Sequence, residues 1–347
     1  MNGIIIFLAL LFILFIGRTI FIPIVVATFV WYLLNAIAAY YRKILPFRKI
    51  EKYTPKFSRH IFDALSFLLS FGTFGGLVYL FITQIRPAFA GLIARLPEIQ
   101  AHLGMLSEFV SKQFGITINA DFLPDTSHIL SSVGASATQF SAGLGLVLIY
   151  IFFMYIEQST FSKKFAALFP KARESNKMRY ILQSIDDNMK KYMFVKTATS
   201  ALTAIISYFW MHYLGLEFAG VWAFIIFIMN YIPTFGTIIA TALPILYSLI
   251  TIGTANEIIL IAAGLIALQI LIGNILEPRL TGRTLNLSTL AILINLVFWG
   301  MLWGPVGMFF SVPFLVAIFV ITAQFDRTRW IAILLSTDGA IPEKEEG

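Results

Sequence analysis

Residues 218–256 read FAGVWAFIIFIMNYIPTFGTIIATALPILYSLITIGTAN, 39 residues without a formal charge between Glu217 and Glu257. A second uncharged stretch, 284–325, runs for 42 residues between Arg283 and Asp326. At about 1.5 Å rise per residue, either would measure roughly 60 Å as one helix, twice the roughly 30 Å hydrocarbon core of a bilayer. Neither is one spanning helix. Each is interrupted near its middle, by Pro233-Thr-Phe-Gly236 in the first and by Gly304-Pro-Val-Gly307 in the second. Each is therefore expected to fold back on itself, with the turn held at depth. Irregular backbone survives there only where it packs in protein or lines a water-filled cavity.

The whole chain has this character. Hydrophobic residues make up 59% and charged residues 12%, against a soluble average of roughly 25% charged. The fold class expected is an all-α integral membrane protein of about eight spanning segments. A transmembrane barrel is excluded, because its strands would alternate apolar and polar residues. The formal net charge of +7 raises a nucleic-acid partner. The distribution of the charge assigns it instead to membrane loops, and no nucleic-acid partner is expected. Cys is absent, which removes disulfides, thiolate metal sites and cysteine nucleophiles.

Hydropathy places spans near 4–17, 20–41, 61–85, 141–157, 197–214 and 258–276, besides the two folded-back stretches. The first apolar run lacks a basic n-region and a small-residue cleavage site, and reads as a retained helix. The loops 42–60 and 159–196, with Arg279, Arg283, Arg327, Arg329 and Lys344, put 21 Lys and Arg on one side. Only Arg18, Arg86, Arg95 and Lys112 lie on the other. Basic residues concentrate on the cytoplasmic side, so both termini are expected there.

This divides the chain into five parts. Residues 1–60 form two membrane helices and a basic loop. Residues 61–158 hold two more helices flanking an extracytoplasmic segment, 86–140, with apolar residues at helical spacing. That segment lies on the membrane or against a neighbouring subunit. Residues 159–196 are cytoplasmic and amphipathic through Met178, Ile181, Leu182, Ile185, Met189 and Met193, running without a breaker into the span at 197. Residues 197–325 form a core, and 326–347 a cytoplasmic tail.

The core carries an inverted repeat. The span 197–214 leads outward, so the 218–252 stretch dips in from outside. The span 258–276 leads inward, so the 288–322 stretch dips in from the cytoplasm. Asn230-Tyr-Ile-Pro-Thr-Phe-Gly236 followed by Pro244 is echoed by Trp303-Gly-Pro-Val-Gly307 followed by Pro313. Two oppositely oriented folded-back helical hairpins with approaching tips make a substrate site in many secondary transporters. Helix ends inside the membrane offer unpaired N–H and C=O groups, which hold a polar solute without a charged side chain. Simple Pro and Gly kinks in full spans are the alternative for each stretch taken alone.

These residues also carry a resemblance. Leu214-Gly-Leu-Glu-Phe-Ala-Gly220, the Asn230–Gly236 motif, Glu277-Pro-Arg-Leu-Thr-Gly282, Trp299-Gly300 and Gly304-Pro-Val-Gly-Met-Phe-Phe-Ser-Val-Pro313 resemble the autoinducer-2 exporter (AI-2E) family of bacterial membrane proteins. The match is dense from about 192 to 322. The resemblance implies a homo-oligomeric exporter of about eight spans. It implies either a quorum-sensing signal of the autoinducer-2 type as cargo or sodium(lithium)/proton antiport.

The residues at the expected site favour a neutral cargo. The inner parts of the spans contain no Asp or Lys. The groups expected to form the substrate site or gate are Asn230, Tyr231, Pro233, Thr234, Gly236, Gln269, Asn274, Glu277, Asn295, Gly304, Pro305 and Gly307. Amides and hydroxyls among them suit a small polar, hydroxyl-rich solute. Gln269 and Asn274 also fit interhelical hydrogen bonds. Glu277 is the leading candidate for ion coupling, with pairing to Arg279 or Arg283 as its plain structural role. No cofactor or metal is expected. The four His residues show no ligand spacing, and neither a phosphate-binding loop nor a nucleophile elbow is present. An enzyme is not expected. A non-transporting scaffold acting through 86–140 is the alternative from another class.

Overall fold

The computed structural model describes residues 2–44, 57–95, 97–98, 101, 104, 108, 111–112, 143–158, 160, 164, 167, 172–251, 254–281 and 286–341. Most of the 86–140 segment, much of the loop 42–60 and Arg283 lie outside the described residues. Apart from one isolated bridge between Leu287 and Ser336, the described chain is helical. Among the described residues, three helices are long and apolar enough to cross a membrane: Arg18–Ile44, Ala255–Leu280 and Thr289–Ala323. The protein is a multi-pass membrane protein by this measure.

Two compact units are present, residues 1–91 with 124–164, and residues 92–123 with 165–347. The first holds α1 (Asn2–Ile16), α2 (Arg18–Ile44), most of α3 (Phe57–Ala94) and α4 (Gly143–Gln158). α1 and α2 abut at Gly17, where Gly17 N–H bonds Ile13 O and Phe21 N–H bonds Gly17 O. No connecting loop separates them. Ala27, Leu34, Phe67, Val147 and Ile151 form this unit's core, with Phe67 stacked on Tyr155 at 3.8 Å. α3 continues through Pro87 to Ala94, whereas hydropathy ends the span near 85. A proline inside a helix removes one hydrogen bond and bends the helix without always ending it.

The second unit contains the rest. α5 (Ala172–Tyr213) is a single 42-residue helix, so the amphipathic segment does run unbroken into the apolar one. α6 (Ala219–Met229) and α7 (Phe235–Thr251) follow. α8 (Ala255–Leu268) widens into a π-helix over Gln269–Leu276 and tightens again as α9 (Glu277–Thr281). α10 (Thr289–Ala323) carries a break at Gly304, and α11 (Arg329–Leu335) ends the fold. The core draws on Met211, Leu216, Trp222, Ile226, Ala240, Tyr247, Ile261 and Leu265. Ile259 and Leu260 of α8 are exposed, as suits a helix against lipid. Removal of apolar side chains from water cannot order such a surface; close packing and internal hydrogen bonds do.

The segment 326–347, set apart from sequence as a tail, is built into this unit as far as residue 341. Ser288 N–H bonds Leu335 O, and Thr337 N–H bonds Asn286 O. Asn286 also donates to Asp338 and Ala340.

Candidate functional site

Both uncharged stretches break where Pro and Gly stand. α6 ends at Met229, and residues 230–234 form turns before α7 begins. Thr234 sits there at φ 60, a left-handed conformation that a β-branched side chain rarely adopts. Tyr247, on the far end of α7, returns to donate a hydrogen bond to Glu217 at 3.3 Å, just before α6. In α10, Gly304 has φ 64 and ψ −145, a region essentially confined to glycine. Asn295 donates to Ser311 O at 2.5 Å across that break, and the rings of Trp299 and Phe314 lie 4.2 Å apart.

The two breaks share a second feature. A Cβ on Gly236 would come within 1.9 Å of Met229 O, and one on Gly307 within 2.0 Å of Trp299 O. In each case a glycine shortly after the break presses on the last carbonyls of the helix before it. The first break also packs on α10 past the second: the ring of Tyr231 stacks on Phe309 at 4.4 Å, and the Tyr231 hydroxyl bonds Thr197 of α5 at 2.7 Å.

Beside them opens a cavity of about 860 Å³. Pro233, Thr234, Gln269, Asn274 and Glu277 all line it. Thr237 and Thr241 continue the hydroxyl face of α7, one and two turns beyond Thr234, and Ile238, Ile245, Ile266 and Ile270 supply the apolar wall. The π-helix explains how Gln269, Asn274 and Glu277 share one side. Pro278 has no N–H, and its ring crowds the carbonyl four residues earlier. Widening the turn relieves that, and Glu277 N–H bonds Ile272 O five residues back. Single π-turns of this kind occur frequently at functional sites.

A charge pair closes one side of the cavity. Lys196 Nζ lies 2.6 Å from Glu277 Oε1, and the Thr199 hydroxyl lies 3.3 Å from Glu277 Oε2. Lys196 is only 8% exposed and Glu277 25%. Sequence proximity pointed to Arg279 or Arg283 as the partner of Glu277. Among the described residues, a cation found on it is Lys196, 81 positions away, which charge counting had placed in the cytoplasmic loop; Arg283 lies outside the described residues. One turn before Lys196, the Tyr192 hydroxyl is buried without a hydrogen-bond partner. Burial, with the Glu277 charge nearby, pushes the Tyr192 phenol well above its usual range.

The remaining residues singled out from sequence stand apart from the cavity lining. Asn230 and Tyr231 are buried behind it, and Gly236 packs on its own turn. Asn295, Gly304, Pro305 and Gly307 build the second break. Sequence reasoning missed Tyr192, Lys196, Thr241 and Thr289 as lining groups. The 234, 237, 241 spacing was a readable signal, since it marks one face of a helix. Nothing in the sequence marked Lys196.

A protein-family model described as AI-2E family transporter matches residues 4–327. The chain belongs to the AI-2E transporter family. It is thereby a transporter and not an enzyme. An AI-2E relative from Escherichia coli strain K12, "AI-2 transport protein TqsA", is 33% identical over 69% of this chain and 65% of its own length. The match thus spans just under two thirds of that relative. A putative transport protein of Haemophilus influenzae is 30% identical over 73% of both chains. A Bacillus subtilis relative, "Putative transport protein YrrI", is 25% identical over 90% of this chain and 88% of its own.

Proposed function

We propose that this AI-2E transporter is a secondary exporter of a small, polar, hydroxyl-rich metabolite, which it holds in the cavity between α5, α7 and the π-helix. The observation that carries this reading is the lining itself: Thr234, Thr237, Thr241, Gln269 and Asn274 beside a charge pair that is already neutralised. Such a wall offers donors and acceptors with little net charge, which favours hydroxyls over a bare ion. An autoinducer-2-type signal fits this chemistry and is what the name of the E. coli relative states for that protein. In this reading α6–α7 and the two halves of α10 are hairpins inserted from opposite faces of a bacterial inner membrane. The breaks act as gates, both termini are cytoplasmic, and the chain works as a homo-oligomer. The stacked Tyr231 and Phe309 support the approach of the two tips.

Accumulation in sealed vesicles, with and without a proton gradient, tests the proposal. Polyol-like solute should accumulate only with the protein, and no uptake of any such solute under either condition would sink it.

Sodium(lithium)/proton antiport is the second reading, and one observation bears on it. Glu277 is the cavity's only carboxylate among the described residues, and it already holds Lys196. A cation must displace an ammonium at 2.6 Å to bind there, so this reading predicts that Glu277→Gln abolishes sodium-dependent pH changes.

A further inference from the structure

We propose that Glu217 and Glu277 are equivalent latches, set apart along α5, and that the cavity opens on the side of either one only when the cation held there lets go. This rests on the inverted-repeat reading above. Each carboxylate directly follows the helix that precedes a broken apolar stretch: Glu217 follows α5, and Glu277 follows α8 and its π-turn. Each carries a cation and a hydroxyl. Glu277 has Lys196 at 2.6 Å and Thr199 at 3.3 Å. Glu217 has Arg95 at 2.7 Å and Tyr247 at 3.3 Å. α5 separates the two sites, because Lys196 lies in its middle and Glu217 just past its end. Seventeen residues from Lys196 to Tyr213 span about 25 Å.

Both latches hold an element that lines the cavity. Tyr247 belongs to α7, whose Thr237, Thr241 and Ile245 form one wall. Arg95 follows Leu92, which packs on the core around Met211 and Trp222. The Arg95–Glu217–Tyr247 set therefore ties the return helix of the first stretch to the segment entering from α3. At the other latch, Lys196 and Glu277 are themselves wall residues. Their strengths differ. Arg95 and Glu217 are each 44% exposed, so that pair opens cheaply. Lys196 and Glu277 are mostly shielded, and parting them leaves a charge short of water.

The absence of cysteine makes access measurable. A single Thr241→Cys in the full chain, in sealed vesicles, is labelled by a membrane-impermeant maleimide applied to either side. Arg95→Gln should raise labelling from the Glu217 side about threefold, the scale of an exposed pair, and lower it from the other. Glu277→Gln should do the reverse. Exchanging the charges, Arg95→Glu with Glu217→Arg, should return both rates to the parent values, which separates a latch from a folding defect. Labelling that ignores Arg95→Gln, or shifts alike from both sides, or is not restored by the exchange, overturns the latches and leaves the cargo site standing. A Thr241→Cys closed to reagent from both sides in every variant overturns the cargo site and the latches together.

Discussion

Lys196 Nζ and Glu277 Oε1 lie 2.6 Å apart across 81 positions of sequence, joining the middle of α5 to the end of the π-helix. The pair is a wall of the cavity and a tie between the two helices. Removing one partner strands the other in a poorly hydrated place, which costs about 2–3 kcal/mol. Lys196→Met and Glu277→Leu are each expected to lower thermal stability in detergent. The double variant should recover most of that loss, because no charge is then left alone. Vesicle transport should stay absent in all three. Full transport by the double variant would show that the pair is only structural.

Gly236 and Gly307 are expected to be the least replaceable small residues of the core. Alanine at either pushes a methyl to within 2.0 Å of a backbone carbonyl, which no rotamer change relieves. Each substitution should cost about 2–3 kcal/mol through forced backbone shifts. Gly143→Ala, where a Cβ meets nothing within 4 Å, should be near neutral in the same melting experiment.

Thr234 stores backbone strain at φ 60 while its side chain faces the cavity. Thr234→Gly should relieve about 1 kcal/mol and raise the melting temperature, yet weaken transport by removing a lining hydroxyl. Gly304→Ala works in the other sense. It should destabilise by about 1–3 kcal/mol, because φ 64 with ψ −145 suits only glycine. Unchanged stability in both variants would contradict these dihedrals.

Tyr192 has a buried hydroxyl without a partner and a phenol held neutral by burial. Tyr192→Phe should stabilise the protein at neutral pH by about 1 kcal/mol, the desolvation cost of the unmatched group. The sign with pH follows from the raised value. Its titration adds nothing to that cost while both states are neutral, and stability falls further once the unfolded chain ionises above about pH 10. Melting curves from pH 8 to 11 should therefore show a smaller alkaline loss in the phenylalanine variant than in the parent.

Much of the fold was legible because lipid imposes strict rules on the chain. Long uncharged stretches cannot be single spans, and Pro and Gly mark where they break. The helices do break at residues 230–234 and at Gly304. The run of the amphipathic segment into the apolar half of α5 was also readable, since nothing between 172 and 213 interrupts a helix. The junction at Gly17 and the passage of α3 through Pro87 were not. Hydropathy reports where polar residues sit, and backbone continuity does not depend on them. The packed segment after Asp326 was missed for a related reason. Its bonds to Asn286 and Ser288 are made by backbone and by short polar side chains, which look like any loop.

By itself, the sequence determined that this chain is a helical membrane protein, where its long stretches break, and which family it resembles. Those properties follow from composition and local pattern, because the bilayer penalises every unpaired polar group wherever it stands. The tertiary structure alone decided which of the polar residues share a space. It set Thr234, Gln269, Asn274 and Glu277 around one cavity, brought Lys196 to Glu277, and stacked Tyr231 on Phe309. A charge pair between residues 81 positions apart has no local signature; only the antiparallel packing of α5 against α8 and its π-turn puts the two ends together.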